Sequence, residues 1–383
     1  MEQFPRGRTA VSGCGTFGLG EAPGNKPLDL ATQAALLALD DAGLALPDVD
    51  AVFVCLPDDA LAGLSAAEYL GIRPRFTDCN RSGGSAFLSH AITAALMLDA
   101  GYCDTALIMY GSNQRTGAGG LVTLRAPSQY EKPYRPINPA SSYALAAARH
   151  MHQYGTTREQ LAAVAVAARQ WANLNPEAFM RGPLTVEDCL GARMVSDPLS
   201  ARDCCLITDG GAAIVMTRAD RAAALKSEPV YVLGAAAATW HSSIDQMPDL
   251  TVTATAESSR RAFQIAGIGT ADVDLVNLYD AFTINTILFL EDMGFCPKGE
   301  GGRFVSDGTI APGGGLPVNT NGGGLSCCHP GMYGLYTIIE SCRQLRRVAG
   351  ARQLDKAEIA VAHGNGGTLS SQATMVLGTR ATL

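Results

Sequence analysis

A short internal repeat is the feature that most constrains the fold of this chain. Ala42-Gly43 followed by Asp48-Val49-Asp50-Ala51-Val52 recurs as Ala266-Gly267 followed by Asp272-Val273-Asp274-Leu275-Val276, always with an offset of 224 residues. In both copies a helical pattern precedes the motif and a strand pattern follows it. Solenoid repeats are much shorter, about 20–50 residues. The repeat therefore predicts two homologous halves, with a shared site where loops of both halves converge.

Short apolar runs alternate with helical patterns at both ends of the chain. Residues 9–12 and 51–55 have the pattern of buried strands, and residues 28–45 between them have that of a helix. Residues 111–203 are richer in Pro, Asn, Tyr and Arg, which indicates an inserted loop-and-helix segment. We expect an α/β architecture with covered sheets, an N-terminal half over residues 1–228 that includes the insertion, and a C-terminal half over residues 229–383.

Composition and charge exclude several classes of protein. The 383 residues are 47% hydrophobic and 17% charged, which is typical of a chain with a large core. The net charge of −7 provides no basic field for nucleic acid or an anionic membrane surface. No apolar stretch reaches the ~18–20 residues of a membrane span, and no apolar leader follows Arg8. We expect a cytoplasmic protein without a membrane span.

The eleven cysteines do not form a recognisable metal or disulfide pattern. No Cys-x-x-Cys pair is present, and the tandem pairs Cys204-Cys205 and Cys327-Cys328 would point their thiols in diverging directions. We expect no metal site. Most of the cysteines are predicted to be small buried apolar residues, among them Cys14, Cys55, Cys103, Cys189 and Cys342.

A glycine motif near the N-terminus has the spacing of a dinucleotide-binding turn. Gly13-Cys14-Gly15-Thr16-Phe17-Gly18 follows the first predicted strand, but loop residues come next where a helix should begin. The second strand ends in Cys55-Leu56-Pro57, without the acidic residue that would hold a ribose. Nucleotide binding is therefore not expected.

Three motifs in the C-terminal half carry candidate chemistry. A glycine-rich run that includes Gly323 and Gly324 leads into Cys328-His329-Pro330, where a neutral His329 at a helix start can donate a hydrogen bond to a carbonyl oxygen that gains charge. His363-Gly364-Asn365-Gly366-Gly367 follows an apolar strand, a place where α/β enzymes hold reactive side chains. Either histidine could instead be a packed structural residue.

The third motif, Tyr279-Asp280-Ala281-Phe282, ends the strand of the internal repeat. Tyr279 at a strand terminus is a candidate acid or base. Asp280 is predicted to cap the helix that starts near Thr283.

Together these motifs closely resemble the thiolase superfamily. The resemblance extends through Glu291-Asp292-Met293-Gly294-Phe295-Cys296, Lys298-Gly299-Glu300-Gly301 and Ser196-Asp197-Pro198, and covers essentially the whole chain. The most similar branch is that of the sterol-carrier-protein-type and lipid-transfer-like thiolases. The resemblance implies a five-layered αβαβα fold of two similar halves with an inserted loop domain.

The resemblance also implies that the chain makes or breaks a carbon–carbon bond next to a coenzyme A thioester, which is a substrate and not a tightly bound cofactor. His329 matches the Gly-His-Pro histidine of the family, and Tyr279 falls at its Asn or His position. His363 falls close to the position of the family's second cysteine, and this sequence has no cysteine there. Residues implied to contact the thioester are Gly83, Gly84, Gly323, Gly324, Asn365 and Gly366.

The nucleophile position departs from the family. Ser82, Gly83 and Ala86 fit the family's Cys-x-Ser-Gly pattern and place Asn80 where the nucleophilic cysteine should stand. An amide cannot carry an acyl group, and Cys79 misses the position by one residue.

Three functions remain open on the sequence. The first is retro-aldol cleavage of a β-hydroxyacyl-CoA without an acyl-enzyme, with Tyr279 or His363 as the base. In this scheme His329 and the N–H groups near Gly83 and Gly84 hold the enolate. The second is acetyl-CoA acetyltransferase-like acyl transfer through Cys79. The third is a non-catalytic subunit that binds acyl-CoA or lipid.

The partners are likewise implied by the resemblance. Thiolases are typically homodimers or dimers of dimers, and this branch often pairs with a small OB-fold, zinc-ribbon protein that helps to hold the acyl-CoA. Because the chain is acidic, local cations in the insertion, such as Arg125 and Lys132, are predicted to contact the coenzyme A phosphates.

Overall fold

The computed structural model describes residues 4–117 and 129–383, and within them most strands join one mixed sheet. The strands are β1 (Thr9–Gly20), β2 (Ala51–Cys55), β3 (Phe76–Asp78), β4 (Thr105–Ser112), β5 (Met194–Ser196), β6 (Leu199–Ser200), β7 (Asp209–Arg218), β8 (Val230–Thr239), β9 (Leu275–Asn277), β10 (Ile359–Gly366) and β11 (Ser371–Gly378). The sheet order is β3-β2-β4-β7-β1-β8-β11-β10-β9, and β5 and β6 form a separate hairpin.

The helices lie between these strands in chain order. They are α1 (Pro27–Ala42), α2 (Ala62–Leu70), α3 (Ser85–Asp99), α4 (Ala140–Tyr154), α5 (Arg158–Asn173), α6 (Val186–Leu190), α7 (Ala219–Ala222), α8 (Thr255–Ala266), α9 (Thr283–Met293), α10 (Gly301–Ser306) and α11 (Gly334–Leu345). Among the described residues, no helix is both long and apolar enough to cross a bilayer.

The sheet consists of two halves with the same strand pattern. In the first half β1 runs antiparallel to β7, β7 antiparallel to β4, and β4 parallel to β2. The second half repeats this with β8, β11, β10 and β9. The halves join where Ala10 and Val11 pair with Tyr231 and Val230. The strands that follow the two copies of the repeat, β2 and β9, take equivalent places.

The helices complete five layers. Helix α1 covers β1, β4 and β7, and α8 covers β8 and β11 on the opposite side of the molecule. Helices α3 and α11 lie between the two half-sheets, where each contacts strands of both. This α-β-α-β-α order confirms the predicted fold class. The boundary between residues 228 and 229 stays a prediction.

The first strand is longer than the predicted segment over residues 9–12. Because β1 pairs with β7 along almost its whole length, the Gly-x-Gly motif lies inside the strand and does not follow it. A Cβ atom at Gly13 or Gly15 would overlap backbone oxygens of α1, at Ala38 and Ala34. These glycines therefore serve the close packing of the strand against the helix.

The insertion is mainly helical in its described part. Strand β4 extends to Ser112, beyond the predicted start of the insertion at residue 111. Helices α4 to α6 and the β5–β6 hairpin then occupy residues 140–200. Helix α5 packs against α9 and α10, and α4 packs against α9 and reaches the site described next.

Candidate functional site

A cavity of about 830 Å³ opens where the two halves and the insertion meet. The segment before α3, the start of α4, the residues between β9 and α9, the segment around His329 and the β10–β11 turn all line it. The lining surface is mainly apolar, with a few polar side chains that converge from different elements. The cavity lies at the place where the internal repeat predicts a shared site of the two halves.

Two glycines let the start of α3 border this cavity closely. Gly83 has a φ of +89°, and a Cβ atom there would lie 2.8 Å from Cα of Gly366. A Cβ atom at Gly84 would overlap the ring of Tyr279. The first N–H groups of a helix have no acceptor within the helix. The start of α3 thus offers backbone donors beside Tyr279, and Gly83, Gly84 and Gly366 all line the cavity.

Tyr279 and His329 form a hydrogen-bonded pair in the cavity wall. The Tyr279 hydroxyl lies 3.0 Å from Nε2 of His329, and the rings meet edge-to-face with centroids 5.4 Å apart. The backbone of His329 is held on both sides, because its N–H donates to Oγ1 of Thr208 and its carbonyl accepts from Gln114. The geometry fixes one hydroxyl against one imidazole at the cavity surface.

Burial keeps both groups neutral near pH 7. It lowers the pKa of His329 to about 4 and raises the pKa of Tyr279 well above its usual value of 10. The sequence predicts a neutral His329 because of a helix dipole. Helix α11 begins only at Gly334, five residues further on, so His329 does not lie at a helix start. The physical cause is desolvation.

Asp280 does not cap α9 as predicted. Phe282 occupies the N-cap position of α9 and makes no side-chain cap. Asp280 is buried and accepts hydrogen bonds from the N–H of Gly324, at 2.6 Å, and of Leu325, at 3.4 Å. Burial raises the pKa of Asp280 to about 7, against the opposing effect of these backbone donors.

Gly324 consequently holds a carboxyl group of the protein itself, whereas the N–H of Gly323 donates to Oδ1 of Asn321. The two glycines belong to a π-helical turn, Gly323–Cys327, and do not line the cavity. Their predicted contact with the thioester does not fit this placement. A side chain at Gly323, which has a φ of +62°, would collide with Asp280.

His363 lies inside β10 and away from the cavity. The prediction that it follows the strand is wrong, because pairing with β11 extends β10 to Gly366. Its Nε2 lies 3.0 Å from Oγ1 of Thr255, and burial lowers its pKa to about 3. It is not among the residues that line the cavity.

Asn365, two residues beyond His363, does line the cavity. Its amide donates to the hydroxyl of Tyr143 at 2.8 Å and accepts from Gln372 at 2.7 Å. The ring of Tyr143 stacks on Phe282 with a centroid distance of 4.4 Å. Tyr143 belongs to α4, so the insertion supplies part of the wall, which no local sequence signal indicated.

Cys79 and Asn80 both lie outside the cavity lining. The Cys79 thiol points to the carbonyl of Ala60 at 3.6 Å, and Cys79 packs on the apolar cluster beneath α1 and α2. Asn80 is exposed, with its N–H bound to Asp78 and its carbonyl accepting from Cys55. The segment that enters the cavity starts one residue later, at Arg81.

Two other cysteines, Cys204 and Cys205, do line the cavity. Burial raises the pKa of Cys204 to about 12 and that of Cys205 well above 9. Thiols with such pKa values stay protonated and are weak nucleophiles.

Of the two predicted cations, only Lys132 belongs to the described residues. Lys132 is exposed and is not among the lining residues. Arg125 lies outside the described residues. Arg81 and Arg193 line the cavity instead, and Arg81 is bound to the backbone carbonyls of Leu56 and Pro57.

Comparison with known proteins gives the family. Residues 236–379 match the family model described as "Thiolase C-terminal domain-like". A Methanothermobacter thermautotrophicus protein named acetyl-CoA acetyltransferase is 36% identical over 354 residues, which cover 89% of this chain and 91% of the relative. The chain belongs to the thiolase superfamily.

Other members of the superfamily resemble it over similar lengths. A Mycobacterium tuberculosis protein named 17-hydroxy-3-oxo-4-pregnene-20-carboxyl-CoA lyase is 34% identical, over 89% of this chain and 92% of the relative. A solved structure named "Ltp2-ChsH2(DUF35) aldolase" is 29% identical, with a TM-score of 0.90 and full coverage of both chains. This thiolase-superfamily enzyme thus resembles both acyltransferases and aldolases.

Proposed function

We propose that this enzyme catalyses retro-aldol cleavage of a β-hydroxyacyl-CoA, without an acyl-enzyme intermediate. The observation that carries the proposal is the Tyr279–His329 pair, which faces a cavity from which Cys79 is turned away. The named lyase from M. tuberculosis and a Thermomonospora curvata protein named steroid side-chain-cleaving aldolase, 31% identical over 94% of this chain, support the same chemistry.

Tyr279 is the proposed acceptor of the β-hydroxyl proton. As the phenolic oxygen takes that proton, its own proton passes across the 3.0 Å contact to Nε2 of His329. The relay avoids a free phenolate, which burial disfavours. His329 can accept because its low pKa leaves it neutral.

Loss of the β-hydroxyl proton drives cleavage of the bond between Cα and Cβ. The electron pair of that bond passes into the thioester carbonyl and forms an enolate, while the Cβ fragment leaves as a ketone or aldehyde. The N–H groups at Gly83 and Gly84 are the proposed donors to the enolate oxygen. The proton held at the Tyr279–His329 pair then returns to Cα, so the reaction needs no added oxidant, metal or cofactor.

Two alternatives are less well supported. Acyl transfer would need Cys79 to reach the cavity, whereas its thiol contacts Ala60, and the thiols that do line the cavity have raised pKa values. A non-catalytic acyl-CoA or lipid-binding role would leave the hydroxyl–imidazole pair unexplained. The relatives named acetyl-CoA acetyltransferase are the reason to keep acyl transfer as the second candidate.

The cavity suits an acyl group much larger than acetyl. Its volume of about 830 Å³ lies in the upper part of the range of drug-sized ligand sites. Stacked Tyr143 and Phe282 give it a flat apolar wall. The steroid compounds in the names of two relatives support a bulky β-substituent.

We propose that this enzyme assembles as a homodimer with a small partner protein. We expect a homodimer, and we expect that a small OB-fold, zinc-ribbon protein can complete the acyl-CoA site. The solved Ltp2-ChsH2(DUF35) aldolase is named for two components, which supports this expectation.

Intact-protein mass spectrometry during turnover tests the proposal. We expect no acyl adduct on the enzyme, and we expect Cys79→Ser to retain activity. Cys103→Ser, a change at a buried cysteine outside the site, is the control. An acyl group found on Cys79 during turnover would establish acyl transfer instead.

A further inference from the structure

The buried carboxyl group of Asp280 is next in sequence to Tyr279 but does not line the cavity. Its Oδ1 accepts a hydrogen bond from the N–H of Gly324 at 2.6 Å, and its Oδ2 accepts one from the N–H of Leu325 at 3.4 Å. Removal of a carboxyl group from water costs free energy. The presence of this group in the interior therefore needs a reason other than contact with the substrate.

The strand pattern does not require a carboxyl group at this position. At the 224-residue offset of the internal repeat, Leu56 is the counterpart of Asp280 in the first half. Leu56 is buried, and it follows β2, which occupies the place in the first half-sheet that β9 occupies in the second. A strand in this place can thus be followed by an apolar residue. The carboxyl group occurs only in the copy that carries Tyr279, which indicates a role in the site.

Gly324 connects the carboxyl group of Asp280 with the imidazole of His329. A Cβ atom on Gly324 would lie 3.2 Å from Oδ1 of Asp280 and 3.2 Å from Cδ2 of His329. Tyr279 is the covalent neighbour of Asp280, and its hydroxyl lies 3.0 Å from Nε2 of His329. These contacts form a closed loop of four residues. A shift of the carboxyl group therefore changes the separation of the hydroxyl and the imidazole.

A second contact holds the other side of Tyr279. The N–H of Leu278 donates to Oδ1 of Asn319 at 2.7 Å, and the N–H of Asn319 donates to the carbonyl of Val276 at 2.9 Å. Asn319 begins the segment that leads through the π-helical turn to His329. The residues before and after Tyr279 are thus both bonded to the segment that carries its partner.

We propose that Asp280 is a positioning residue that sets the distance between the Tyr279 hydroxyl and Nε2 of His329. It acts through the turn at Gly324 and does not contact the substrate. Its effect on the rate rests on the proposed retro-aldol function, whereas its effect on the distance does not.

Asp280→Asn tests the effect on the rate. The substitution keeps the size of the side chain but replaces one acceptor oxygen with an amide nitrogen, so one buried N–H of the turn loses its acceptor. Assays at pH 8, above the pKa of about 7 that burial gives Asp280, compare the amide with the carboxylate. Because a displacement of ~1 Å costs about 100-fold, kcat should fall by about 10–100-fold. KM should stay within about twofold, because the carboxyl group lies outside the cavity lining.

Asp274, which precedes the same strand, provides a matched control. Its Oδ2 accepts hydrogen bonds from the N–H groups of Glu358, at 2.8 Å, and Ile359, at 3.0 Å. Asp274→Asn therefore disturbs a comparable pair of backbone donors at the other end of β9, and it should leave kcat within about twofold. An equal loss of kcat in both variants would overturn the proposal.

A measurement without substrate distinguishes this inference from the proposed function. In protein labelled with ¹⁵N-histidine, the Nε2 resonance of His329 reports its hydrogen bond with Tyr279, and Tyr279→Phe shows how that resonance moves when the bond is lost. Asp280→Asn should move it in the same direction, and Asp274→Asn should not. This result in a protein without retro-aldol activity would support the role of Asp280 and refute the proposed function. An unmoved resonance, or an unchanged kcat, in folded Asp280→Asn would overturn the role of Asp280.

Asn319→Gly decides the question if Asp280→Asn does not fold. Asn319 has a φ of +52°, a conformation that glycine adopts readily, so the substitution removes the acceptor of the Leu278 N–H without strain in the backbone. The same resonance of His329 should move, and kcat should fall with KM unchanged. An unmoved resonance with unchanged kcat in this variant would then overturn the proposal.

Discussion

Gly84→Ala is the sharpest perturbation of the proposed site, because it adds one methyl group beside Tyr279. Gly84 has φ −66° and ψ −22°, so alanine suits its backbone and only the space beside it is at issue. The new Cβ atom would lie 2.5 Å from Cδ2 of Tyr279 and closer still to Cε2, where ordinary contact is 3.4–4 Å. The ring must therefore move by about 1 Å or more, since the alternative neighbour is the backbone oxygen of Asn365.

A displacement of ~1 Å in a catalytic group costs about 100-fold in rate. We expect kcat/KM for a β-hydroxyacyl-CoA to fall by about that factor. Overpacking costs ~1–3 kcal/mol of folding free energy, so the variant should remain folded, as circular dichroism and thermal melting can verify. Gly315→Ala is the matched control, because its Cβ atom would meet nothing within 4 Å.

A double-mutant cycle distinguishes displacement of the Tyr279 ring from a general loss of active-site structure. In a Tyr279→Ala background the ring is absent, so Gly84→Ala should lower the residual activity by no more than about twofold, the ~0.5 kcal/mol within which uncoupled changes add. An equally large loss in that background, or an unchanged rate for Gly84→Ala alone, would refute the role given to the position of Tyr279.

Three further predictions follow from the same structure. Tyr279→Phe removes the hydroxyl that lies 3.0 Å from Nε2 of His329, so kcat for release of the shortened acyl-CoA should fall by about 10²–10⁴-fold. Unchanged turnover would show that Tyr279 is not the base. Because His329 must be neutral to accept a proton and its pKa is about 4, the pH profile should lose activity only as pH falls towards 4, and a half-loss near pH 6.5 would contradict this. Arg352→Met leaves the carboxylate of Glu340 buried without its ion pair and should cost about 3–5 kcal/mol in denaturant unfolding, whereas Lys226→Met, at an exposed pair, should cost under about 1 kcal/mol.

Local patterns located much of this fold and part of the site. The 224-residue repeat predicted equivalent strands, and β2 and β9 do occupy equivalent places. The sequence also identified Tyr279 and His329, which do come together. Tyr279 could be identified because it follows a strand, and His329 because it follows a glycine-rich turn. Strand ends and glycine-rich turns are local features that a short stretch of sequence encodes.

Side-chain direction could not be obtained in the same way. His363 lies inside β10 and outside the cavity lining because pairing of β10 with β11 continues past it, and that pairing involves a different part of the chain. The N–H groups of Gly324 and Leu325 bind Asp280, a residue more than forty positions away.

Tyr143 lines the cavity because α4 packs beside the cavity. Cys342 is buried as predicted, whereas Cys14 is partly exposed. These placements depend on long-range packing, which neither spacing nor composition encodes.

The requirement for free coenzyme A tests the central claim most directly. Thiolytic cleavage consumes coenzyme A as a second substrate, whereas retro-aldol cleavage consumes none. The purified enzyme, with any partner subunit it needs, is incubated with a bulky β-hydroxyacyl-CoA from which free coenzyme A has been removed, and products are followed by mass spectrometry. We predict stoichiometric release of a ketone or aldehyde and a shortened acyl-CoA. Cleavage of only the β-ketoacyl-CoA, and only when free coenzyme A is added, would contradict the account.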